Sequence, residues 1–423
     1  MNDYKYLIVQ DGTLLKSDLE KKFKRYFTYR DIRSNNIGDY INFVGFIFTE
    51  EEALVSFPKH FFSEESLSKI NRDNLNVDIY LDLLFKIIQK NISRENKRLL
   101  EVKQEINKGY PFEAFSAIYQ YYQKYNLFTQ ERNNKKFGYS GKILWKDTFK
   151  KSPLVLNQGN LLYLPPVMQD RVSDFVFISK CMAYVINTTL DTFHFLFKLP
   201  LVSLEYRDIN FSNKEKIINH LRDIKSHLFK DIHLRLIEDL ITFFKNEHHG
   251  SKHYEIKIYS FHLIWEDMVR YYLNNHFSKI NNETEEIIFN SRDNKKLNFQ
   301  KREFELDSRK KNKGVKTYRI EPDYFLDEVD NRYIFDAKYY SELDKLDYKQ
   351  VAYYFLLENF KNDKKLKIYN ALFLPTSKSG FMKIHFHLDK EHSGVEEGFK
   401  IMEYYLNMRE ILQVYVGENT NIR

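Results

Sequence analysis

Residues 319–340 read R-I-E-P-D-Y-F-L-D-E-V-D-N-R-Y-I-F-D-A-K-Y-Y, and this stretch decides the fold that we predict for the C-terminal part of the chain. Its two apolar halves flank a turn-rich middle, which is typical of a β-hairpin. If the chain reverses at Val329 and Asp330, Asp323 lies opposite Asp336, because residue numbers in an antiparallel ladder sum to a constant. Side chains alternate along a strand, so Asp336 and Lys338 share one face.

The predicted register brings two carboxylates together. Directly opposed residues have Cβ atoms about 5 Å apart, and two carboxylates at this distance repel each other. Either the register is wrong or a divalent cation lies between them, and we favour the cation. Asp323 and Asp336 would hold Mg²⁺, with Mn²⁺ as a substitute, and the backbone carbonyl of Ala337 and water would complete a shell of hard oxygen ligands.

Such a site suits the hydrolysis of a phosphodiester. This reaction needs charge neutralisation on the nonbridging oxygens, a hydroxide nucleophile and a stabilised leaving oxygen. Lys338 would orient the attacking water or help to deprotonate it, and it would stabilise the pentavalent state. The residues therefore predict a metal-dependent hydrolase that acts on nucleic acid.

The composition predicts a soluble cytoplasmic protein. The chain has 423 residues, enough for two or three domains, and its net charge of +7 fits a partner such as double-stranded DNA without requiring one. The single cysteine, Cys181, excludes an intramolecular disulfide and a cysteine-rich zinc site. The N-terminus has no basic leader before a long apolar core, and the most apolar run, residues 175–186, is too short to span a bilayer. We therefore expect no membrane association.

The hydrophobic pattern predicts a multi-domain protein of mixed α/β (α+β) class. Residues 1–135 form a β-rich region followed by helices and are a candidate for docking a partner. Residues 136–250 form a mainly helical middle domain, and residues 251–423 form a domain in which helices flank a mixed central sheet. Residues 295–316 hold nine Lys or Arg and three acidic residues. This run is either a solvated loop or a flank that contacts phosphate.

The order of motifs in residues 251–423 resembles that of the PD-(D/E)XK nuclease superfamily. A helix with Glu266 precedes Pro322-Asp323, which is followed after twelve residues by Asp336-Ala337-Lys338 in an apolar strand. A helix with Gln350 and Tyr354 follows, and these two residues share one helical face. The Gln-x-x-x-Tyr pair is similar to an accessory motif of McrC-like nucleases. The resemblance implies a core like that of restriction endonucleases.

The resemblance also implies roles for the flanking residues. Glu266 would bind the metal directly or through water. Gln350 and Tyr354 would position Lys338 or the scissile strand. Asp344 and Asp347 are interpreted as charges at the start of the last of these helices.

Other readings of single residues stay open. Asp267 competes with its neighbour for the helical position in the site. Either Tyr353 or Tyr354 fits the core of this tyrosine-rich chain. His385 and His387 alternate on one strand as a candidate metal pair, although ordinary surface histidines are the favoured interpretation.

More narrowly, the chain resembles the LlaJI family of restriction endonucleases, which is related to McrC. The similarity extends over most of the chain. It rests on I-W-E-D-M at 264–268, I-E-P-D-Y at 320–324, F-D-A-K-Y-Y at 335–340 and Y-K-Q-V-A-Y-Y at 348–354, and on less specific motifs at 43–48, 54–59 and 141–148.

This resemblance implies a restriction system with several components. The nuclease subunit would work with a separate McrB-like AAA+ GTPase, since the sequence contains no G-x-x-x-x-G-K-[ST] loop for a motor of its own. A cognate DNA methyltransferase would belong to the same system, because the chain carries no recognisable methyltransferase motif.

Two other functions stay open. A nuclease of another mobile-element or defence system would share the core but need no GTPase. A scaffold with a degenerate nuclease fold would be expected to have lost a charged residue of the core, and none is missing here.

Overall fold

The chain folds into two compact units of mixed α and β structure, which confirms the predicted class. A computed structural model describes residues 5–49, 52–73, 77–92, 110–140, 142–157, 160–193, 199–247, 254–281, 283–289, 297–307, 317–358, 366–393 and 399–417. The first unit combines Met1–Tyr110 with His248–Arg423, and the second is Pro111–Glu247. These units differ from the three predicted domains, whose boundaries fall at residues 135 and 250.

Among its described residues, the N-terminal segment of the first unit contains a small sheet and three helices. Strand β5 pairs in parallel with β1 and antiparallel with β4, while β2 and β3 form a separate hairpin. The strands are β1 (Lys5–Gln10), β2 (Ile32–Ser34), β3 (Asp39–Ile41), β4 (Val44–Phe48) and β5 (Glu52–Phe57). The helices are α1 (Ser17–Phe23), α2 (Glu64–Asp73) and α3 (Val77–Ile92), with a 3₁₀ turn at Lys24–Tyr26.

The second unit is helical, as predicted for the middle of the chain, but it also contains five strands among its described residues. Its helices are α4 (Phe112–Tyr125), α5 (Trp145–Lys151), α6 (Phe177–Thr192), α7 (Lys214–Lys225) and α8 (Asp231–Asn246). Its strands are β6 (Thr129–Phe137), β7 (Lys142–Ile143), β8 (Leu154–Asn157), β9 (Asn160–Tyr163) and β10 (Val167–Phe175). Strand β10 lies between β6 and β7, and β8 and β9 form a hairpin.

The C-terminal segment of the first unit holds the hairpin of residues 319–340. Its strands are β11 (Tyr254–Ile258), β12 (Phe277–Ile280), β13 (Ile287–Phe289), β14 (Tyr324–Asp327), β15 (Asn331–Ala337), β16 (Lys367–Thr376), β17 (Phe381–Leu388) and β18 (Phe399–Asn407). Its helices are α9 (Phe261–His276), α10 (Tyr348–Leu357), α11 (Lys390–Ser393) and α12 (Met408–Val416). Of the basic run, residues 295–296 and 308–316 lie outside the described residues.

A five-stranded sheet in the order β14-β15-β16-β18-β17 forms the centre of this segment. Strands β15, β16 and β18 run parallel, and the two edge strands run antiparallel to their neighbours. The apolar run Y-I-F in β15 is buried, as expected for a strand covered on both faces. Helix α10 connects β15 to β16, because parallel neighbours need a crossover.

Strand β11 explains why the unit boundaries differ from the predicted ones. It pairs with β4 of the N-terminal sheet, so residues far apart in sequence share one sheet. A buried ion pair accompanies the pairing, with Lys257 Nζ 2.9 Å from Asp31 Oδ2. The hydroxyl of Tyr259 donates to the other carboxylate oxygen of Asp31 at 2.8 Å. The N-terminal segment is therefore part of the unit that carries the hairpin.

Within the described ranges, no helix has the length and apolar character needed to cross a bilayer.

Gly45 on β4 tests the pairing with β11. Its φ is +142°, and a Cβ at this position would lie 1.9 Å from the carbonyl oxygen of Ile256. We therefore expect Gly45→Ala to lower the free energy of unfolding by more than about 2 kcal/mol. Gly138→Ala is the matched control, since a Cβ there meets nothing within 4 Å, and its effect should stay below about 0.5 kcal/mol. Equal urea unfolding midpoints for the two variants would contradict the close approach of β4 and β11.

Candidate active site

The two aspartates of the hairpin meet at its open end. Tyr324 pairs with Phe335, which is the register that places Asp323 opposite Asp336, so this prediction is confirmed. The backbone N–H of Ala337 donates to Asp323 Oδ2 at 3.0 Å, and the carboxyl group of Asp336 lies close enough to that of Asp323 to raise its pKa. Asp336 is buried. The backbone ladder therefore holds two acidic groups in one small space.

This environment changes the pKa of Asp323. Burial is the largest cause that raises its pKa well above the ordinary value of an aspartate, and the charges of Asp336 and Glu266 add to it. Asp323 therefore retains its proton at pH values where an isolated aspartate is ionised.

Lys338 is held by two carboxylates. Its Nζ lies 2.7 Å from Asp336 Oδ2 and 2.8 Å from Asp347 Oδ2. Asp347 caps helix α10, since its Oδ1 accepts the backbone N–H of Gln350 at 3.0 Å. Burial alone would lower the pKa of Lys338, but the two carboxylates outweigh it and raise the pKa, so the side chain stays a cation. Asp347 is thus both the helix-start charge that we predict and a direct partner of the lysine.

Helix α9 directs Glu266, and not Asp267, at the carboxylates. Burial raises the pKa of Glu266, and the charge of Asp336 raises it further. Asp267 lies on another side of the helix, where it accepts a hydrogen bond from the Tyr415 hydroxyl at 2.6 Å and pairs with Arg270. The helical position in the site therefore belongs to Glu266.

Gln350 and Tyr354 support the sheet. The Nε2 of Gln350 donates to the Ile334 carbonyl at 2.8 Å and lies 3.4 Å from the Ala371 carbonyl, so it clamps β15 to β16. Tyr354 is buried in a cluster with apolar residues of β16 and β18. Of the predicted pair, Gln350 thus holds the strand that carries the site, and Tyr354 lies in the core.

Two further residues of α10 lie at the site: Lys349, which has no predicted role, and Tyr353, which the sequence leaves as a candidate for the core. Lys349 Nζ lies 3.5 Å from Asp336 Oδ1. Tyr353 lies one turn later on the same face, and its hydroxyl donates to the Glu321 carbonyl at 2.8 Å. Their spacing of four residues, next to Gln350, was the signal in the sequence.

The carboxylates offer oxygens that suit a small hard cation. Asp336 Oδ1 is buried and accepts no hydrogen bond from the described residues, although Lys349 Nζ lies 3.5 Å away. The carbonyl of Ala337 points to the same side of β15 as its N–H, which faces Asp323. No three His, Cys, Asp or Glu side chains in the described ranges come close enough together to enclose a metal. Mg²⁺ does not require them, since it binds through one or two carboxylates and retains several waters. The pair and the carbonyl fit this ion.

His385 is not available as a metal ligand. It lies at an irregularity of β17, and its Nδ1 is 2.6 Å from Glu403 Oε1 while its Nε2 accepts the backbone N–H of Asp347 at 3.1 Å. Both ring nitrogens therefore have protein partners. His387 is exposed, which fits the favoured interpretation of surface histidines.

The comparison with protein families decides the identity of the chain. The model described as LlaJI restriction endonuclease matches residues 43–387. The chain belongs to the LlaJI restriction endonuclease family. The matched residues of this restriction endonuclease include every residue of the candidate site, from Glu266 on α9 to α10.

Comparisons with individual proteins add little to the family assignment. Among solved structures, the half-complex from the tetradecameric assembly of Thermococcus gammatolerans McrB AAA+ hexamers with bound McrC is 11% identical, has a TM-score of 0.36, and covers 99% of this chain and 97% of that chain. The T. gammatolerans McrBC complex is 10% identical, has a TM-score of 0.22, and covers 62% of this chain and 84% of that chain. Both TM-scores are too low to indicate a shared fold. No curated protein matches the chain.

The Asp323→Asn variant tests whether the carboxyl groups of Asp323 and Asp336 repel each other in this restriction endonuclease. The folded pKa of Asp323 lies above its unfolded value of about 3.9, so the native state binds more protons over this interval and loses stability as pH rises, by at most about 1.4 kcal/mol per pH unit. An asparagine cannot ionise and still accepts the Ala337 N–H. In EDTA, we expect the variant to unfold at a higher temperature than the wild type, with a gap that widens from about pH 5 to about pH 8.

Asp344→Asn, at an exposed position before α10, is the matched control for this measurement and should follow the wild-type profile. Parallel profiles for Asp323→Asn and the wild type would show that the two carboxyl groups do not repel each other.

Proposed function

We propose that this restriction endonuclease hydrolyses phosphodiester bonds of double-stranded DNA with Mg²⁺, or Mn²⁺ in its place, at a PD-(D/E)XK site. The observation that carries the proposal is the contact of Asp323 and Asp336 beside Lys338. The mixed sheet, with α10 crossing between β15 and β16, supports a core of this type. The protein would act in the cytoplasm, on DNA that enters the cell.

The hairpin would supply the metal ligands. Asp323, Asp336 and the carbonyl of Ala337 would hold Mg²⁺, and Glu266 would hold a water of its shell. A bound divalent ion neutralises charge on a phosphoryl oxygen and lowers the pKa of a bound water. The protein's own part is to fix these oxygens before substrate binds, which the backbone pairing of β14 with β15 achieves.

Lys338 would act as a fixed cation beside the reacting phosphate. An ammonium has three N–H donors, and two of them face Asp336 and Asp347. The third remains to orient the attacking water or to donate to a nonbridging oxygen. Because both carboxylates favour its charged form, its main effect would be stabilisation of the negative charge that develops on the phosphate.

A separate McrB-like AAA+ GTPase is the partner that we propose, and a cognate DNA methyltransferase would protect the host DNA. The Gln-x-x-x-Tyr motif resembles that of McrC-like nucleases and supports this division of labour. The second unit also exposes an apolar surface at Trp145 and Phe149 of α5 and at Leu156 and Leu161 of the β8–β9 hairpin. Exposed apolar surface of this kind marks protein interaction sites. These residues offer a docking surface outside the N-terminal region that we predict from the sequence.

Substitutions in the hairpin test the catalytic proposal. We expect Asp336→Ala and Lys338→Ala each to lower plasmid cleavage by about 100-fold or more in the presence of Mg²⁺ and the partner, because each removes a group that fixes the metal or the charge. Asp344→Asn, whose side chain is exposed before α10, should cleave like the wild type. Full cleavage by either hairpin variant would exclude this site as the catalytic centre.

The need for a partner is tested with purified components. We expect the chain with Mg²⁺ alone to leave plasmid DNA intact, and cleavage to appear when an AAA+ GTPase encoded beside it and GTP are added. Omitting GTP is the control for the motor, and the Lys338→Ala variant is the control for contaminating nucleases. Complete cleavage without the GTPase would instead favour a nuclease of another defence system that acts alone.

A further inference from the structure

Lys349, in the first turn of α10, is not one of the proposed metal ligands. We propose that it is a second catalytic cation, which donates to a nonbridging oxygen of the scissile phosphate in the transition state. This inference rests on the proposed nuclease function and adds the residue that would contact the substrate from the open side of the site.

Lys349 lies between the solvent and the buried carboxylate of Asp336. Its Nζ lies 3.5 Å from Asp336 Oδ1, the buried oxygen that no described donor hydrogen-bonds. Its side chain is nevertheless 53% exposed. An anion that approaches the carboxylates from solvent therefore meets this ammonium at the edge of the site.

Lys338 and Lys349 differ in how firmly they are held. Lys338 is 16% exposed and forms two short ion pairs, at 2.7 and 2.8 Å. The contact of Lys349 with Asp336 is longer, at 3.5 Å, and the lysine side chain is half exposed. The Lys349 ammonium can therefore exchange this contact for a charge-assisted hydrogen bond to phosphate.

Tyr353 fixes the direction in which Lys349 points. It lies four residues later, is buried, and anchors its hydroxyl on the Glu321 carbonyl at 2.8 Å. Lys349 Nζ lies over the Tyr353 ring, 5.2 Å from its centre. Contact with an aromatic face is favourable for a cation. The ammonium is thus oriented before substrate binds, which is what electrostatic catalysis requires.

The charge of the cluster creates a need for this second cation. Glu266, Asp323 and Asp336 interact electrostatically with one another, and Lys338 is shared with a fourth carboxylate, that of Asp347. A phosphodiester carries a negative charge into this acidic environment. Lys349 places a further positive charge within reach of Asp336, where it offsets the repulsion of the incoming phosphate.

The test compares Lys349→Ala, Lys349→Arg and the control Lys245→Ala, which removes an exposed charge from α8 of the second unit. Two quantities are measured: the single-turnover rate of plasmid cleavage with Mg²⁺ and the partner, and the salt dependence of binding to a fluorescein-labelled duplex in EDTA. For Lys349→Ala we expect a rate about 100-fold lower at saturating DNA, and a log–log salt slope that is smaller by about one. Lys349→Arg should stay within about tenfold of the wild-type rate, since it retains the cation. Lys245→Ala should match the wild type in both measurements.

The outcomes separate this inference from the proposed function. Wild-type cleavage together with an unchanged rate for Lys349→Ala overturns the role of Lys349 and leaves the nuclease proposal intact. A wild-type chain that binds the duplex and cuts nothing overturns the nuclease proposal. In that case an unchanged salt slope for Lys349→Ala also overturns the phosphate contact, and a smaller slope supports it. Thermal unfolding of each variant shows whether the fold is preserved, and Lys349→Gln replaces the alanine variant if it is not.

Discussion

The contact between the carboxyl groups of Asp323 and Asp336 is the constraint on which the rest of the site depends. Two acidic groups this close repel each other, and desolvation together with the charge of Asp336 raises the pKa of Asp323. The backbone ladder of β14 and β15 nevertheless holds them together, with the Ala337 N–H and Lys338 as compensating partners. A local arrangement that opposes stability and is retained by the surrounding fold is typical of functional sites.

The surrounding structure restrains the position of this contact from several sides. Asp347 connects Lys338 to the start of α10, and Gln350 of the same helix clamps β15 to β16. Tyr339 follows Lys338 in sequence, and its hydroxyl accepts the backbone N–H of Lys59 from the N-terminal segment at 2.8 Å. The N-terminal segment therefore supports the end of the strand that carries the site. The site thus depends on both segments of the first unit.

The sequence predicts the local part of this arrangement and not the long-range part. The hairpin register follows from one turn and from alternating side chains, so the meeting of Asp323 and Asp336 could be predicted. Adjacent residues on a helix point about 100° apart, and only the packing of α10 separates Tyr353, at the site, from Tyr354, in the core. The pairing of β11 with β4 joins residues about two hundred positions apart, and no local pattern encodes such a contact.

Crystallography gives the most direct test of the proposed metal site. Crystals of the protein soaked in Mn²⁺ and measured at the manganese absorption edge would show where a divalent ion binds. We expect an anomalous peak between the carboxylates of Asp323 and Asp336 and beside the carbonyl of Ala337, at the oxygen distances of a hard cation. A structure in which these carboxylates remain in contact with each other, with no peak between them, would show that they do not form a metal site.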